Sequence, residues 1–163
     1  MQQLGDPTYL FLWILSNAVA LFLLTLAWRN VKRARWAYAI LFAWAAWLNA
    51  STAWNDPISF LKFADLTFVD SYRDFLLHDF APHIQRYMAA VAVCQLLIAL
   101  GLLVGGWPRT LAAIGGMVFF VLVAPLGIGA AFPCTLILAF GLFIILRKHR
   151  RSKRVVITSS GDR

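Results

Sequence analysis

The stretch QRYMAAVAVCQLLIALGLLV (residues 85–104), with GGWPR (105–109) and TLAAIGGMVFFVLVAPLGIG (110–129) after it, decides the fold class of this chain. The two long runs are apolar almost throughout, and the only charged side chain in them is Arg86, near the start of the first. At about 1.5 Å per residue, a helix of roughly 20 residues crosses a hydrocarbon core of about 30 Å. The two runs therefore predict two membrane-spanning helices joined by a short turn.

Three further apolar stretches, residues 10–28, 36–54 and 132–146, predict additional spans. The whole composition agrees, because 61% of the residues are hydrophobic and the mean hydropathy is +0.74, whereas soluble domains are about half apolar. We therefore expect one all-α integral membrane domain over residues 1–146, a polytopic helix bundle with five spans, followed by a basic tail at 147–163.

The charged residues predict the orientation of this bundle. Basic side chains concentrate in residues 29–35, at Arg109 and in the tail, and five spans would place all three groups on one side. The other side receives Asp6 and the long connection 55–84, which is rich in aspartate. Because basic residues that flank spans stay cytoplasmic, we expect an outside N-terminus and a cytoplasmic C-terminus, in a bacterial inner membrane.

The net charge of +8 does not indicate a nucleic-acid partner. The basic residues lie at the ends of the predicted spans, where they set topology and meet anionic lipid headgroups. The bilayer is therefore the first expected partner, and nucleic acid is not expected.

The connection 55–84 has the pattern of an ordered segment. Apolar residues alternate with its charges, and from Leu66 onward they recur at roughly helical spacing, through Val69, Tyr72, Leu76 and Phe80. A segment of this kind lies in the headgroup plane or packs on a helix bundle. Its acidic balance disfavours adhesion to anionic lipid, so we predict an extracytoplasmic helical cap over the bundle.

Few polar residues interrupt the spans, and two of them matter for function. Asn49 lies in the second span and Gln95 near the middle of the third, while no Asp, Glu, Lys, Arg or His occupies a midplane position. That absence disfavours a proton pump or an ion-coupled carrier. The two amides have two open interpretations, an interhelical hydrogen bond or contact with a polar headgroup.

Asp79, His83 and Arg86 cluster at the predicted outer mouth of the third span, close to where the second span ends. We therefore expect an outer pocket between spans two and three that suits an isoprenoid quinone, with aromatic walls for the ring and donors for its carbonyls. No metal is expected, because the His78 and His83 spacing across Pro82 fits one helical face poorly. The predicted ligand-binding residues are Trp47, Asn49, Trp54, Asp79, His83, Arg86 and Gln95.

Two segments carry a resemblance to a known family. RWAYAILFAWAAWLN (35–49) resembles the first helix of DoxX-type membrane proteins. CQLLIALGLLVGGWPRTLAA (94–113) is similar to their second and third helices in the positions of polar Gln95, of its glycines and of Arg109. The resemblance implies a DoxX-like four-helix core over about 35–146, with the first span as an addition. Gln95 stands where the family usually has Glu.

Some DoxX-type proteins resemble the membrane subunit of a quinone-linked oxidoreductase, so the resemblance implies a role in such a redox complex. The alternative is a non-catalytic interaction or assembly subunit, working with a partner protein or as a homo-oligomer. A small transporter is a third interpretation. No nucleophile–base pair or phosphate loop indicates an enzyme acting alone, and no catalytic residue is predicted.

Overall fold

The computed structural model describes the backbone of residues 7–160, and the side chains of 10–127 and 131–148. Asp6 and the tail side chains after Lys148 lie outside the described residues. All regular secondary structure in the described part is helical, which confirms the all-α class. The seven α-helices are α1 (Pro7–Arg29), α2 (Val31–Asn55), α3 (Phe63–Leu66), α4 (Asp70–Asp74), α5 (Ile84–Leu103), α6 (Trp107–Val123) and α7 (Cys134–Ser160).

The five long helices, α1, α2, α5, α6 and α7, lie where the five spans are predicted. Three segments are long and apolar enough to cross a membrane, namely Leu10–Arg29, Asp70–Leu103 and Trp107–Gly127. The molecule is therefore compatible with insertion into a bilayer. Spanning by α2 and α7, and hence the full count of five, stays a prediction.

The long helices pack as a ring in the order α1, α2, α5, α6, α7, with α7 closing against α1. The α5–α6 turn needs Gly106, whose φ of 74° lies in the left-handed region that glycine tolerates best. Next to this turn, a Cβ on Gly101 would lie only 2.7 Å from the Cβ of Ala112. Small residues thus let the two helices approach closely, as is common where lipid gives helices no hydrophobic drive to associate.

The core of the ring is filled by a few large side chains set among alanines and glycines. Tyr38 and Phe42 of α2 are fully buried, and the Phe42 ring lies 5.1 Å from the ring of Phe120 on α6. The Tyr38 hydroxyl donates to the Leu138 carbonyl oxygen of α7 at 3.0 Å. A buried phenol in an apolar bundle needs such an acceptor. This bond therefore holds α2 to α7.

Helix α1 is an integral part of the ring. Trp13 Nε1 donates to the Phe132 carbonyl oxygen at 2.8 Å, and Asn17 Nδ2 donates to the Ala131 carbonyl oxygen at 3.3 Å. Both acceptors lie just before Cys134, the first residue of α7, so the two bonds hold α1 against the start of α7. Helix α1, which lies outside the segment that resembles DoxX-type proteins, therefore closes the bundle between α2 and α7.

Residues 56–83, which we call the connecting segment, are helical except at Asp56 and Thr67–Val69. Besides α3 and α4 they form 3-10 turns at Pro57–Lys62 and Ala81–His83, and a π-helical turn at Phe75–Phe80. A second group of buried apolar residues joins the segment to the ends of α2 and α5: Ala53, Phe60, Ala64, Leu76, Phe80, Ile84 and Met88.

Hydrogen bonds extend the connecting segment across the bundle to the end of α6. Thr67 Oγ1 donates to the Pro125 carbonyl oxygen at 2.8 Å, and the Tyr72 hydroxyl donates to the Leu122 carbonyl oxygen at 3.0 Å. The segment therefore lies over one end of the helix ring, which we call the acidic end. Its extracytoplasmic position stays a prediction.

The opposite end, which we call the basic end, holds described basic residues from each of the three basic groups of the sequence. Lys148 of α7 donates to the Trp28 carbonyl oxygen at the end of α1 and lies 5.9 Å from the centre of the Trp28 ring. Arg35 of α2 and Arg109 of α6 are close enough to interact electrostatically. In the described part of the chain, all the aspartates thus lie at the acidic end, together with Lys62, Arg73 and Arg86, while most of the basic residues lie at the basic end.

Candidate functional site

A cavity of about 360 Å³ opens at the acidic end, where the chain leaves α2 and later enters α5. One wall comes from the 3-10 turn that follows α2, and the other from the junction between the connecting segment and α5. The residues that line the cavity are Pro57, Ile58, Ala81, Pro82, His83, Ile84, Gln85 and Arg86.

Two prolines shape this cavity. Pro57 begins the 3-10 turn directly after α2, since a proline fits the first helical position, where its missing N–H costs nothing. Pro82 sits in the 3-10 turn before α5, and His83 leaves helical geometry with φ −133° and ψ 26°. The chain therefore bends at both places, and the space between the two bends remains open.

The lining combines hydrogen-bond donors with apolar surface. His83, Gln85 and Arg86 are exposed and offer imidazole, amide and guanidinium groups, while Pro57 and Ile58 supply apolar contact. The cavity also lies at the N-terminus of the 20-residue helix α5, which carries partial positive charge. Such a lining suits a ligand that combines apolar surface with hydrogen-bond acceptors such as carbonyl oxygens.

Asn49 and Gln95 meet at a different depth. Asn49 Nδ2 donates to Gln95 Oε1 at 2.9 Å, and only 2% of Gln95 is exposed. This contact is the interhelical hydrogen bond that the sequence offered as one of two interpretations. Gln95 lies roughly 13 Å further along α5 than Arg86 at the α-helical rise, so one small headgroup cannot touch both.

The two tryptophans predicted as walls lie on the outside of the bundle. Trp47 is 65% exposed and Trp54 is 80% exposed, and neither lines the cavity. Asp79 is also exposed, within the π-helical turn. The structure thus brings His83 and Arg86 together at the cavity and pairs Asn49 with Gln95, while Trp47, Trp54 and Asp79 line neither place.

Sequence reasoning missed Pro57, Ile58 and Gln85 as cavity-lining residues. A signal was present, since two proline turns bracket the connecting segment, and chain bends at both ends of a helical segment leave space between them.

In the described part of the chain, no three His, Cys, Asp or Glu side chains lie close enough together to hold a metal ion.

Comparison of the chain with protein-family profiles, with curated proteins and with solved structures finds no match. The resemblance to DoxX-type proteins accordingly rests on residues 35–49 and 94–113 alone and stays a hypothesis.

Proposed function

We propose that this chain is a membrane subunit that holds the ring of an isoprenoid quinone in the cavity at the acidic end, in association with a redox complex. The single observation that supports this function is the cavity itself, with donors from His83, Gln85 and Arg86 on one wall and apolar Pro57 and Ile58 on the other. Quinone carbonyls accept hydrogen bonds, and an open cavity leaves a path by which the isoprenoid chain can extend out of it.

The cavity suits this ligand in size and position. Small-molecule sites range from about 300 to 1,000 Å³, and a volume near 360 Å³ holds a substituted ring but not the tail. Ile58 is 71% exposed at the rim, which gives the first isoprene unit an apolar surface. In this arrangement Asn49 and Gln95 fix α2 against α5 and do not touch the ring.

The test is the quinone content of the purified chain. We expect the wild type, extracted in mild detergent, to carry quinone in its lipid extract. The double variant His83→Ala/Arg86→Gln should lower that content about tenfold, because two lost hydrogen bonds of roughly 1 kcal/mol each exceed the 1.4 kcal/mol of one decade.

A control matched in charge removes one imidazole and one cationic side chain from the same end of the molecule. His78→Ala/Lys62→Gln deletes an exposed imidazole and an exposed cation that do not line the cavity, so it should leave quinone content unchanged. A wild type without quinone, or equal losses in the two double variants, would refute the quinone site.

We also propose that the acidic end faces the periplasm and the basic end the cytoplasm, with all five long helices spanning the membrane. The support is the charge separation between the ends, since flanking Lys and Arg stay cytoplasmic. A reporter active only in the cytoplasm should work when fused after Arg154. Activity there of a periplasm-specific reporter instead would overturn the five-span topology.

A second candidate function is a non-catalytic interaction subunit, and the outward face of α2 favours it. Four tryptophans of α2, Trp36, Trp44, Trp47 and Trp54, are each more than half exposed along this face. Tryptophan is enriched at interface hot spots, so this face fits a transmembrane helix of a partner subunit. A partner protein should then be recovered in mild-detergent pull-downs. The double variant Trp44→Ala/Trp47→Ala should lose this partner, while variants without quinone should keep it. That result would favour this function over the first.

A further inference from the structure

Arg35, at the basic end, is a half-buried cation without a described partner. It lies in the second turn of α2, and its Nε is enclosed by the protein with no hydrogen-bond acceptor. The side chain makes no hydrogen bond or ion pair with any residue that the structure describes. An arginine stays protonated in a protein, and no carboxylate among the residues that the structure describes compensates this charge.

A second cation lies beside it. Arg109, in the first turn of α6, donates from Nε to the Val104 carbonyl oxygen at 3.2 Å, which holds its side chain against the α5–α6 turn. Partial burial and, after it, the charge of Arg109 lower the pKa of Arg35 from its ordinary value. The N-termini of α2 and α6 both lie at this end and add partial positive charge.

The described part of the chain offers Arg35 no carboxylate. The sequence contains no glutamate, and all the aspartates with described side chains belong to the connecting segment at the other end. Because a partly desolvated charge is costly unless it is paired, a counter-ion from outside the described residues is the natural complement of Arg35.

The position of Arg35 indicates where that counter-ion comes from. Trp36 follows it directly and is 52% exposed, and Trp107, two residues before Arg109, is 71% exposed. Exposed tryptophans collect at the level of the lipid headgroups. In the proposed five-span topology, these two tryptophans at the basic end place Arg35 near the depth of the lipid phosphates.

We propose that Arg35 binds the phosphodiester of an anionic phospholipid, with Arg109 reinforcing the positive field of the site. A guanidinium matches two phosphate oxygens with two parallel hydrogen bonds, which an ammonium group does not. Because Nε is engaged with no acceptor, turning the guanidinium toward a headgroup breaks no hydrogen bond from that atom.

Native mass spectrometry of the full chain in detergent tests this site, with phosphatidylglycerol and phosphatidylcholine of identical acyl chains as probes. The wild type should retain phosphatidylglycerol preferentially. Arg35→Gln should weaken that retention about tenfold, since hydrogen bonds to charged groups are worth roughly 1.5–3 kcal/mol.

Arg33→Gln is the matched control, because it removes an equal charge from the same helix at an exposed position and should change retention less than about twofold. Arg35→Lys keeps the charge and loses the paired hydrogen-bond geometry, so it should weaken retention by about threefold or more. If Arg35→Gln cannot be purified, Arg35→Lys alone tests the lipid site. Inorganic phosphate in millimolar excess should not displace the lipid.

Several results would overturn the proposal. Equal losses in the Arg33 and Arg35 variants would show a diffuse electrostatic effect. Unchanged retention in Arg35→Lys would show that charge alone suffices. Equal binding of phosphatidylcholine, or displacement by free phosphate, would mean that the site does not select an anionic lipid.

Discussion

Replacement of Gly141 by alanine is expected to destabilise the bundle by about 2–3 kcal/mol, although alanine is the better helix former. The new methyl group would overlap the Tyr38 hydroxyl and lie 3.1 Å from Tyr38 Cζ. Tyr38 is fully buried, so its ring cannot retreat without disturbing α2. Its hydrogen bond to Leu138 would be lost as well, which leaves a phenol unsatisfied in an apolar interior.

Gly115→Ala provides the control, because a Cβ there would lie 3.7 Å from Ile98 Cγ1, an ordinary contact distance. Both variants change a glycine to alanine within a long helix, so only the surroundings differ. The loss of monodisperse protein with temperature, followed by gel filtration in detergent, measures the effect. Equal midpoints for the two variants would contradict the Tyr38–Gly141 packing.

This pair also shows where sequence reasoning reaches its limit. The five long helices could be located from the length of the apolar stretches alone, because a run of about 20 apolar residues is typical of a membrane-spanning helix. The contact of Tyr38 with Gly141 joins residues of α2 and α7 that are far apart in the chain, and it depends on how each helix is rotated. Hydrophobicity does not encode that rotation when nearly every face of a helix is apolar.

The two tryptophans of the predicted pocket illustrate the same point. The sequence predicts them as aromatic walls of the quinone pocket, but the buried face of α2 consists mainly of small residues such as Ala39, Ala46 and Ala53. Lipid accepts tryptophan as readily as a protein core does, so hydrophobicity does not determine which face of α2 is buried. Close helix packing favours small residues, and the alanines therefore face the bundle. Trp47 and Trp54 are left outside.

His83 and Arg86 could be placed at one site from sequence because they flank the start of a span within a single helical turn. Local spacing fixes such neighbours. Pro57 and Ile58 join them only through the path of the connecting segment across the bundle end, which depends on long-range contacts such as Tyr72 with Leu122.

The Asn49–Gln95 bond supplies the last prediction, a double-mutant cycle. Asn49→Leu removes the donor and leaves the buried Gln95 oxygen without it, and Gln95→Leu removes the acceptor. Each single variant should destabilise the α2–α5 contact by roughly 1–2 kcal/mol, because an unsatisfied amide in an apolar interface is costly. The double variant should lose less than the sum, with a coupling energy of about 0.6–1.7 kcal/mol.

Unfolding by denaturing detergent in mixed micelles measures the four proteins of this cycle, and additive losses would mean that the bond contributes nothing. The quinone content of the folded variants then separates structure from binding. Because Gln95 lies roughly 13 Å further along α5 than Arg86 of the cavity, quinone should remain in all four proteins. If it falls in step with loss of either amide while stability is kept, the ring binds between α2 and α5, and the amides contact it directly.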